Sequence, residues 1–145
     1  MRPIVLLAAG LAASPALAQP APEHWTGRMR CEALPGRTMG PLDVAFALTI
    51  AGNRAHYERN VRDARSNALA SGYWERGEGV LAPDGTLRLE GGAAAQRWSY
   101  SAVYEGRLGR GRGELQGAQF WQDGGGTLRR ACAINLRRQE EQGRP

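Results

Sequence analysis

Apolar and polar residues alternate at every second position through most of the chain, and turn-forming residues separate the alternating segments. The clearest segment covers residues 42–50. Its alternate positions on one face are Leu42, Val44, Phe46, Leu48 and Ile50. A period of two is typical of a β-strand with one buried face, whereas an amphipathic helix repeats every 3.6 residues. The pattern therefore predicts an all-β protein, and no segment predicts a helix.

Eight such segments follow one another along the chain. The predicted strands cover residues 24–31, 42–50, 54–61, 73–81, 86–91, 96–108, 111–121 and 128–138. Most are joined by short turns such as Asp84-Gly85, and the longer connections are residues 32–41 and 61–72. Consecutive strands joined by tight turns form an antiparallel meander, and eight strands can close into a barrel. The prediction is a closed or nearly closed eight-stranded barrel, with a β-sandwich as the alternative.

Two cysteines lie on the first and last predicted strands, at Cys31 and Cys132. In an oxidising compartment we expect them to form a disulfide. The bridge would close a loop of about 100 residues, which the chain-entropy model values at about 4–5 kcal/mol. In a barrel it would fasten the seam where the sheet closes, and in a sandwich it would join the two layers.

The N-terminus has the features of an export signal. Arg2 precedes an apolar run over residues 4–13, and Ala16-Leu17-Ala18 forms a small-x-small cleavage site before Gln19. The run is shorter than the roughly 20 residues of a membrane-spanning helix, and no later segment is apolar enough to span. The prediction is a periplasmic or secreted protein with a signal peptide (1–18), a flexible mature N-terminus (19–23), a single β-barrel domain (24–138) and a disordered C-terminal tail (139–145).

The order of these features resembles that of small exported bacterial β-barrel domains of unassigned role. The resemblance rests on an early tryptophan and cysteine, Asp-Gly corners, and a closing Arg-x-Cys-x-Ile-x-Leu at Arg130, Cys132, Ile134 and Leu136. Avidin-like and lipocalin-like barrels and the small barrel inhibitors of secreted metalloproteases are similar in size and architecture. None of their contact motifs is clearly present, so the resemblance implies a fold and assigns no residue roles.

The sequence contains few side chains in patterns that are typical of catalytic or metal sites. The chain has two histidines, His24 and His56, which form no zinc-binding pattern, and no serine lies in a Gly-x-Ser-x-Gly motif. Six glutamates lie on predicted strands: Glu58, Glu75, Glu78, Glu90, Glu105 and Glu114. A glycosidase would need two carboxyl groups about 5–10 Å apart in a cleft, and the sequence shows no such pairing. We therefore predict no enzyme activity, no metal and no cofactor.

All nineteen basic residues are arginine, and the formal net charge is +5, or +4 once Arg2 is removed with the signal. This surplus favours anionic partners only weakly, and a nucleic acid is not an expected partner of an exported protein. The run Gly-Arg-Gly-Arg-Gly at residues 109–113 is interpreted as a turn between two long strands.

The face that holds the aromatic residues is the candidate binding site. If the apolar face of residues 42–50 points inward, parity places eight candidate residues inside the barrel, namely Trp25, Tyr57, Arg59, Trp98, Tyr100, Tyr104, Trp121 and Arg130. They form either a ligand cup or a filled core, in which Gly27, Gly113 and Gly117 leave room for neighbouring rings. The two arginines either pair with an acid such as Glu32, Glu75 or Glu114, or anchor an anionic group of a ligand.

The predicted function is an exported, non-catalytic β-barrel binding module for a small ligand or a cell-envelope component. The alternative is a module that binds an exported protein, such as an inhibitor of a secreted hydrolase. That partner would contact the segment before Trp25 or the connections at residues 32–41 and 61–72.

Overall fold

A computed structural model describes residues 20–36, 39–62, 69–122 and 125–140 of the chain. Its strands are β1 (Glu23–Cys31), β2 (Leu42–Ala51), β3 (Arg54–Arg62), β4 (Leu69–Leu81), β5 (Thr86–Ala94), β6 (Ser99–Leu108), β7 (Arg112–Gln122) and β8 (Thr127–Arg138). Each strand pairs antiparallel with the next, and β8 pairs with β1. The sheet is therefore a closed barrel, which confirms the predicted fold and excludes the sandwich.

Neither chain terminus is fully covered by this description. The predicted signal peptide, residues 1–18, lies outside the described residues, and so do residues 141–145 of the predicted tail. The described ranges contain no helix, and hence no helix that could cross a membrane.

Alternation of the strand residues fills the barrel with side chains. The inward positions that are no more than 2% exposed include Met29, Phe46, Leu48, Ile50, Leu87, Leu89, Tyr104, Leu115 and Ile134. In β2 the inward positions are buried, and of the residues between them Asp43, Ala45 and Ala47 are exposed and Thr49 is half-buried. Burial of this apolar face stabilises the closed sheet, and it fixes the register because a one-residue slip would expose the whole face.

Three strand boundaries differ from the sequence prediction by three or four residues. β4 begins at Leu69 instead of Tyr73, β5 continues to Ala94, and β6 begins at Ser99 instead of Gln96. The start of β4 pairs with β3 beyond an irregularity that shifts the register between Asn60 and Arg62. Pairing with a neighbouring strand gives these small and polar residues an extended backbone that their own pattern does not predict.

The two ends of the barrel differ in their connections. At the turn end, residues 52–53, 82–85 and 109–111 form tight turns, in which Gly52, Gly85 and Gly111 have φ angles of 62°, 87° and 88°. Glycine adopts these angles without steric cost. The connections at the opposite loop end are residues 32–41, 63–68, 95–98 and 123–126. The glycine- and arginine-rich run is therefore a turn leading into β7, as predicted.

Glycines make room for a ring at positions other than the predicted ones. A methyl group on Gly77 or Gly91 would overlap the ring of Tyr57, whereas on Gly27 or Gly117 it would overlap the backbone of an adjacent strand. Gly27 and Gly117 thus permit close approach of backbones. Because Gly77 and Gly91 lack side chains, they leave space for the Tyr57 side chain inside the barrel.

Cys31 and Cys132 form the predicted disulfide. They are direct partners in the register of β1 and β8, they are 4% and 5% exposed, and they are 101 positions apart in sequence. The bridge fastens the pair of strands that closes the barrel. It therefore restricts the unfolded chain, and in the folded protein it joins β1 to β8 where the sheet closes.

Replacing both cysteines with alanine should lower the free energy of unfolding by about 2–5 kcal/mol, because the unfolded chain regains the freedom that the long loop loses. Urea unfolding of the two proteins measures the difference. A reducing agent should destabilise the wild type by a similar amount and leave the double variant unchanged. Equal urea midpoints for wild type and variant would contradict the role assigned to this bridge.

Candidate functional site

A fully buried carboxylate lies inside the barrel toward the loop end. Glu75 on β4 is 0% exposed. Its Oε1 accepts hydrogen bonds from the phenols of Tyr57 (2.9 Å) and Tyr104 (2.8 Å), and its Oε2 accepts from Tyr100 (2.8 Å) and from Nε2 of Gln119 (3.2 Å). Burying a carboxylate is costly unless it is paired and hydrogen-bonded, and these donors satisfy both oxygens.

Arg59 supplies the positive charge that Glu75 requires. The two residues are direct partners in the register of β3 and β4, and the Arg59 guanidinium forms an ion pair with Oε2 of Glu75. Arg59 also donates to the Asn60 carbonyl (3.2 Å) and to the Tyr100 phenol (3.4 Å). Its Nε is buried and has no hydrogen-bond partner among the described residues. Burial is the largest single influence and opposes the charged form, but the charge and hydrogen bond of Glu75, together with Tyr100 and Tyr104, outweigh it and raise the pKa of Arg59.

A second arginine is held by neutral groups. Arg130 on β8 is 4% exposed, and its Nε donates to Oε1 of Gln119 (2.8 Å). Its guanidinium lies over the Trp121 ring at 5.5 Å from the centroid, and Nη1 contacts the Met39 sulfur at 3.6 Å. No carboxylate of the described chain forms an ion pair with it. Burial, followed by repulsion from Arg59, lowers the pKa of Arg130.

The outcome for the two arginines is therefore mixed. Both lie inside the barrel, as strand parity predicts, and Arg59 pairs with Glu75, which was one of three acids considered. Arg130 pairs with none of the three, and Gln119 bridges it to the carboxylate instead. Gln119 also accepts a hydrogen bond from the indole of Trp121 at 3.1 Å. The result is one connected network around Glu75.

Aromatic rings continue this network toward the loop end. Tyr100 stacks on Trp121 with centroids 4.3 Å apart, and Trp98 lies 5.4 Å from Trp121. Tyr73, which is 40% exposed, lies 5.5 Å beyond Trp98. Exposure thus decreases along the row from Tyr73 through a partly exposed Trp98 to Tyr100 at 4%.

The structure brings seven of the eight predicted cup residues together. Trp25 is the exception, since it pairs in register with Leu48 and with Arg138 near the turn end, and its indole donates to Glu23 at 3.2 Å. Apart from Trp98, each of the eight is at most 6% exposed. The aromatic face is therefore packed as core around a polar network, and the accessible surface beside it lies elsewhere.

That surface is a groove where the barrel wall divides, here called the seam groove. The pairing of β4 with β5 ends at Arg76 and Gly92, although β4 continues beside β3 to Leu69 and β5 continues beside β6 to Ala94. The two strands separate toward the loop end and leave a groove of about 540 Å³.

Residues from four strands line the seam groove. Trp74, which is 41% exposed, lines it together with Phe120, and Arg76 and Gln122 add polar groups. The residues between them, Gly92, Ala93 and Ala94, are small. At Gly92 a methyl group would overlap the backbone carbonyl of Tyr100, so glycine allows β5 and β6 to approach closely there. Tyr100 is also among the lining residues, and its buried phenol donates to Glu75 inside the barrel.

Comparisons with protein-family models, curated proteins and solved structures found no match to this chain. Within the described ranges, no group of three or more His, Cys, Asp and Glu side chains is arranged to hold a metal ion. The geometry therefore carries the functional interpretation.

Several residues of the site were not predicted from the sequence. Glu75 was one of six strand glutamates, and Trp74 and Phe120 were not considered. Gln119 lies on the inward face beside Trp121, and a polar residue at such a position is the signal that could have identified it. Trp74 has the opposite parity to Glu75, which predicts an outward-facing tryptophan.

Replacing Glu75 with glutamine should destabilise the barrel by about 3–5 kcal/mol, because Arg59 would keep its buried charge without a counter-ion. Glu90→Gln is the matched control, since Glu90 pairs with Arg88 at a surface position that is 64% exposed. That change should cost less than about 1 kcal/mol. Chemical denaturation gives both values, and similar losses for the two variants would contradict the importance of the buried pair.

Stability should also fall at high pH. Burial, followed by the charge of Glu75, raises the pKa values of Tyr57, Tyr100 and Tyr104 above the ordinary value of 10.0. Above about pH 10 these tyrosines lose protons in the unfolded chain and keep them in the native protein. The free energy of unfolding should then decrease by about 4 kcal/mol per pH unit, or about 1.4 for each tyrosine.

Urea unfolding at pH 9, 10.5 and 11 measures this dependence. Tyr104→Phe removes one of the three phenols, so it should reduce the slope by about a third. A wild-type stability that stays constant across this range would show that the phenols ionise normally in the folded protein.

Proposed function

We propose that the protein is an exported, non-catalytic binding module and that it holds a saccharide-like component of the cell envelope in the seam groove. The observation that carries this proposal is the groove itself, about 540 Å³ in volume, with an exposed tryptophan beside small residues. Ligand sites typically combine apolar or aromatic walls with a few polar groups in a concave surface of this size.

The chemistry of the lining favours a sugar over a purely apolar ligand. Trp74 and Phe120 offer aromatic surface on which the apolar face of a sugar ring can pack. Ser99, Ser101 and Gln122 offer hydroxyl and amide groups that can exchange hydrogen bonds with sugar hydroxyls. Such groups match a neutral ligand with many hydroxyls.

Export is supported by two independent features. The first eighteen residues have the composition and cleavage site of a signal peptide. The Cys31–Cys132 disulfide is compatible with an oxidising compartment. A protein in the periplasm or outside the cell would meet envelope glycans, which makes a saccharide an accessible ligand.

Removing the Trp74 side chain should weaken saccharide binding without affecting the fold, because the indole is outside the core. The probe is chitotetraose, a neutral oligosaccharide of N-acetylglucosamine. Isothermal titration calorimetry measures the affinity of the wild type and the variants, and the shift of the Trp74 indole N–H signal in NMR spectra of the wild type reports contact at the groove. Trp74→Ala should reduce affinity about tenfold or more, since burying a large ring contributes about 1.5–3 kcal/mol.

Val80→Ala is the matched control, because Val80 is 56% exposed and lies at the other end of β4. It should bind chitotetraose like the wild type. Equal affinities of wild type and Trp74→Ala would place the site elsewhere. Capture of an exported protein by a chain that binds no oligosaccharide would favour the alternative role as a protein-binding module.

A further inference from the structure

Four exposed arginines gather at the turn end, on the side of the barrel where it closes. Arg110 lies in the β6–β7 turn, Arg112 begins β7, and Arg137 and Arg138 end β8. Together they are called the arginine corner. The backbone N–H of Arg138 donates to the Gly111 carbonyl at 3.0 Å, so turn and strand end are directly joined. The corner is thus part of the hydrogen-bonded frame of the barrel.

Most of the charge in the arginine corner is not neutralised by the protein. Arg138 pairs with Glu23 at 3.2 Å, whereas Arg110, Arg112 and Arg137 form no ion pair with any residue in the described ranges. Several arginines elsewhere on the barrel surface do pair with an acid on a neighbouring strand or turn. Examples are Arg28 and Arg30 with Asp43, Arg76 with Glu58, and Arg107 with Asp84.

The register makes this arrangement unfavourable for the fold alone. Arg112 and Arg137 are direct partners on the outer faces of β7 and β8. Like charges directly opposite one another on paired strands are destabilising, whereas an acid at either position would form the cross-strand pair seen elsewhere. A ligand that neutralises both charges would remove this cost, so the juxtaposition points to binding and not to stability.

The shape of the surface limits the kind of anion that would fit. The corner lines a groove of about 1130 Å³ together with residues 20–22 before β1, Glu23 and His24 at the start of β1, and Gln139 and Glu140 after β8. Arg112 and Arg137 lie on the barrel wall, while Arg110 and Arg138 lie at its rim. The four positive charges therefore follow the groove from the barrel wall around to its rim, and they do not lie in one plane.

We propose that the arginine corner binds a linear acidic polysaccharide through its carboxylate groups. A flexible chain with a charge on successive sugars can follow the groove around the edge, whereas a membrane surface would contact only the protruding rim. Arginine pairs with carboxylates through two parallel hydrogen bonds, which suits such a ligand. This site lies at the opposite end of the barrel from the seam groove, and its residues are different.

The test measures binding of the purified protein to polygalacturonate at low salt, with neutral dextran as the uncharged comparison. The wild type should bind polygalacturonate and not dextran, and binding should weaken steeply as sodium chloride is added. In Arg112→Gln/Arg137→Gln the affinity should fall about tenfold or more, because each lost contact is a hydrogen bond to a charged group.

Arg76→Gln/Arg88→Gln is the matched control, because it removes the same net charge from two exposed, paired arginines on β4 and β5, across the barrel from the corner. It should retain the affinity of the wild type within about twofold, since only general attraction is reduced. Trp74→Ala should also bind polygalacturonate normally, so failure of the neutral saccharide site and failure of this site give different results.

Arg137→Glu separates binding from folding. It places an acid opposite Arg112, so its thermal midpoint should equal or exceed that of the wild type while polygalacturonate binding is lost. Equal loss in the Arg76→Gln/Arg88→Gln control, unchanged affinity in the corner variants, or binding of phosphatidylglycerol vesicles in place of polygalacturonate would overturn the proposal.

Discussion

A carboxylate buried inside a barrel must keep its counter-ion and its hydrogen-bond donors, and this constraint sets the arrangement of the loop end. Glu75 receives donors from five residues on three other strands: Tyr57, Arg59, Tyr100, Tyr104 and Gln119. Each of these strands has to direct its donors inward and to lie in a register that brings them within reach of Glu75. A slip of one residue would turn Glu75 outward and leave Arg59 unpaired inside. The polar network therefore specifies the register as strictly as the apolar core does.

The same network explains why the wall can divide at the seam groove. Beyond Arg76 and Gly92 the pairing of β4 with β5 stops, so backbone hydrogen bonds no longer join the two strands. Just beyond that point Glu75 still links β4 to Tyr100 on β6, at 2.8 Å. Side-chain bonds thus connect the wall across the gap that the backbone leaves. A groove at this position can be open to a ligand while the barrel beside it remains ordered.

The pairing of Cys31 with Cys132 is expected from the presence of two cysteines and an export signal. Alternation along single strands, with the short turns between them, predicts the strand order and favours a closed barrel over a sandwich. It also placed Arg59 and Arg130 inside. Parity gives the face of a residue but not its height along the barrel axis, which depends on pairing with neighbours. For this reason Trp25 was grouped with rings that lie toward the other end. The partner of Arg59 and the divided seam depend on register across strands, so no single segment indicates them.

The energetic cost of an unpaired charge differs among three places in this barrel, because the places differ in their exposure to solvent. Inside, the charge of Arg59 is matched by Glu75, since an unpaired buried ion would be too costly. On the wall, cross-strand pairs such as Arg76 with Glu58 are exposed and add little stability. At the arginine corner Arg112 faces Arg137, and water makes this repulsion tolerable without making it favourable. A charge arrangement that the fold tolerates but does not need is one that a partner can use.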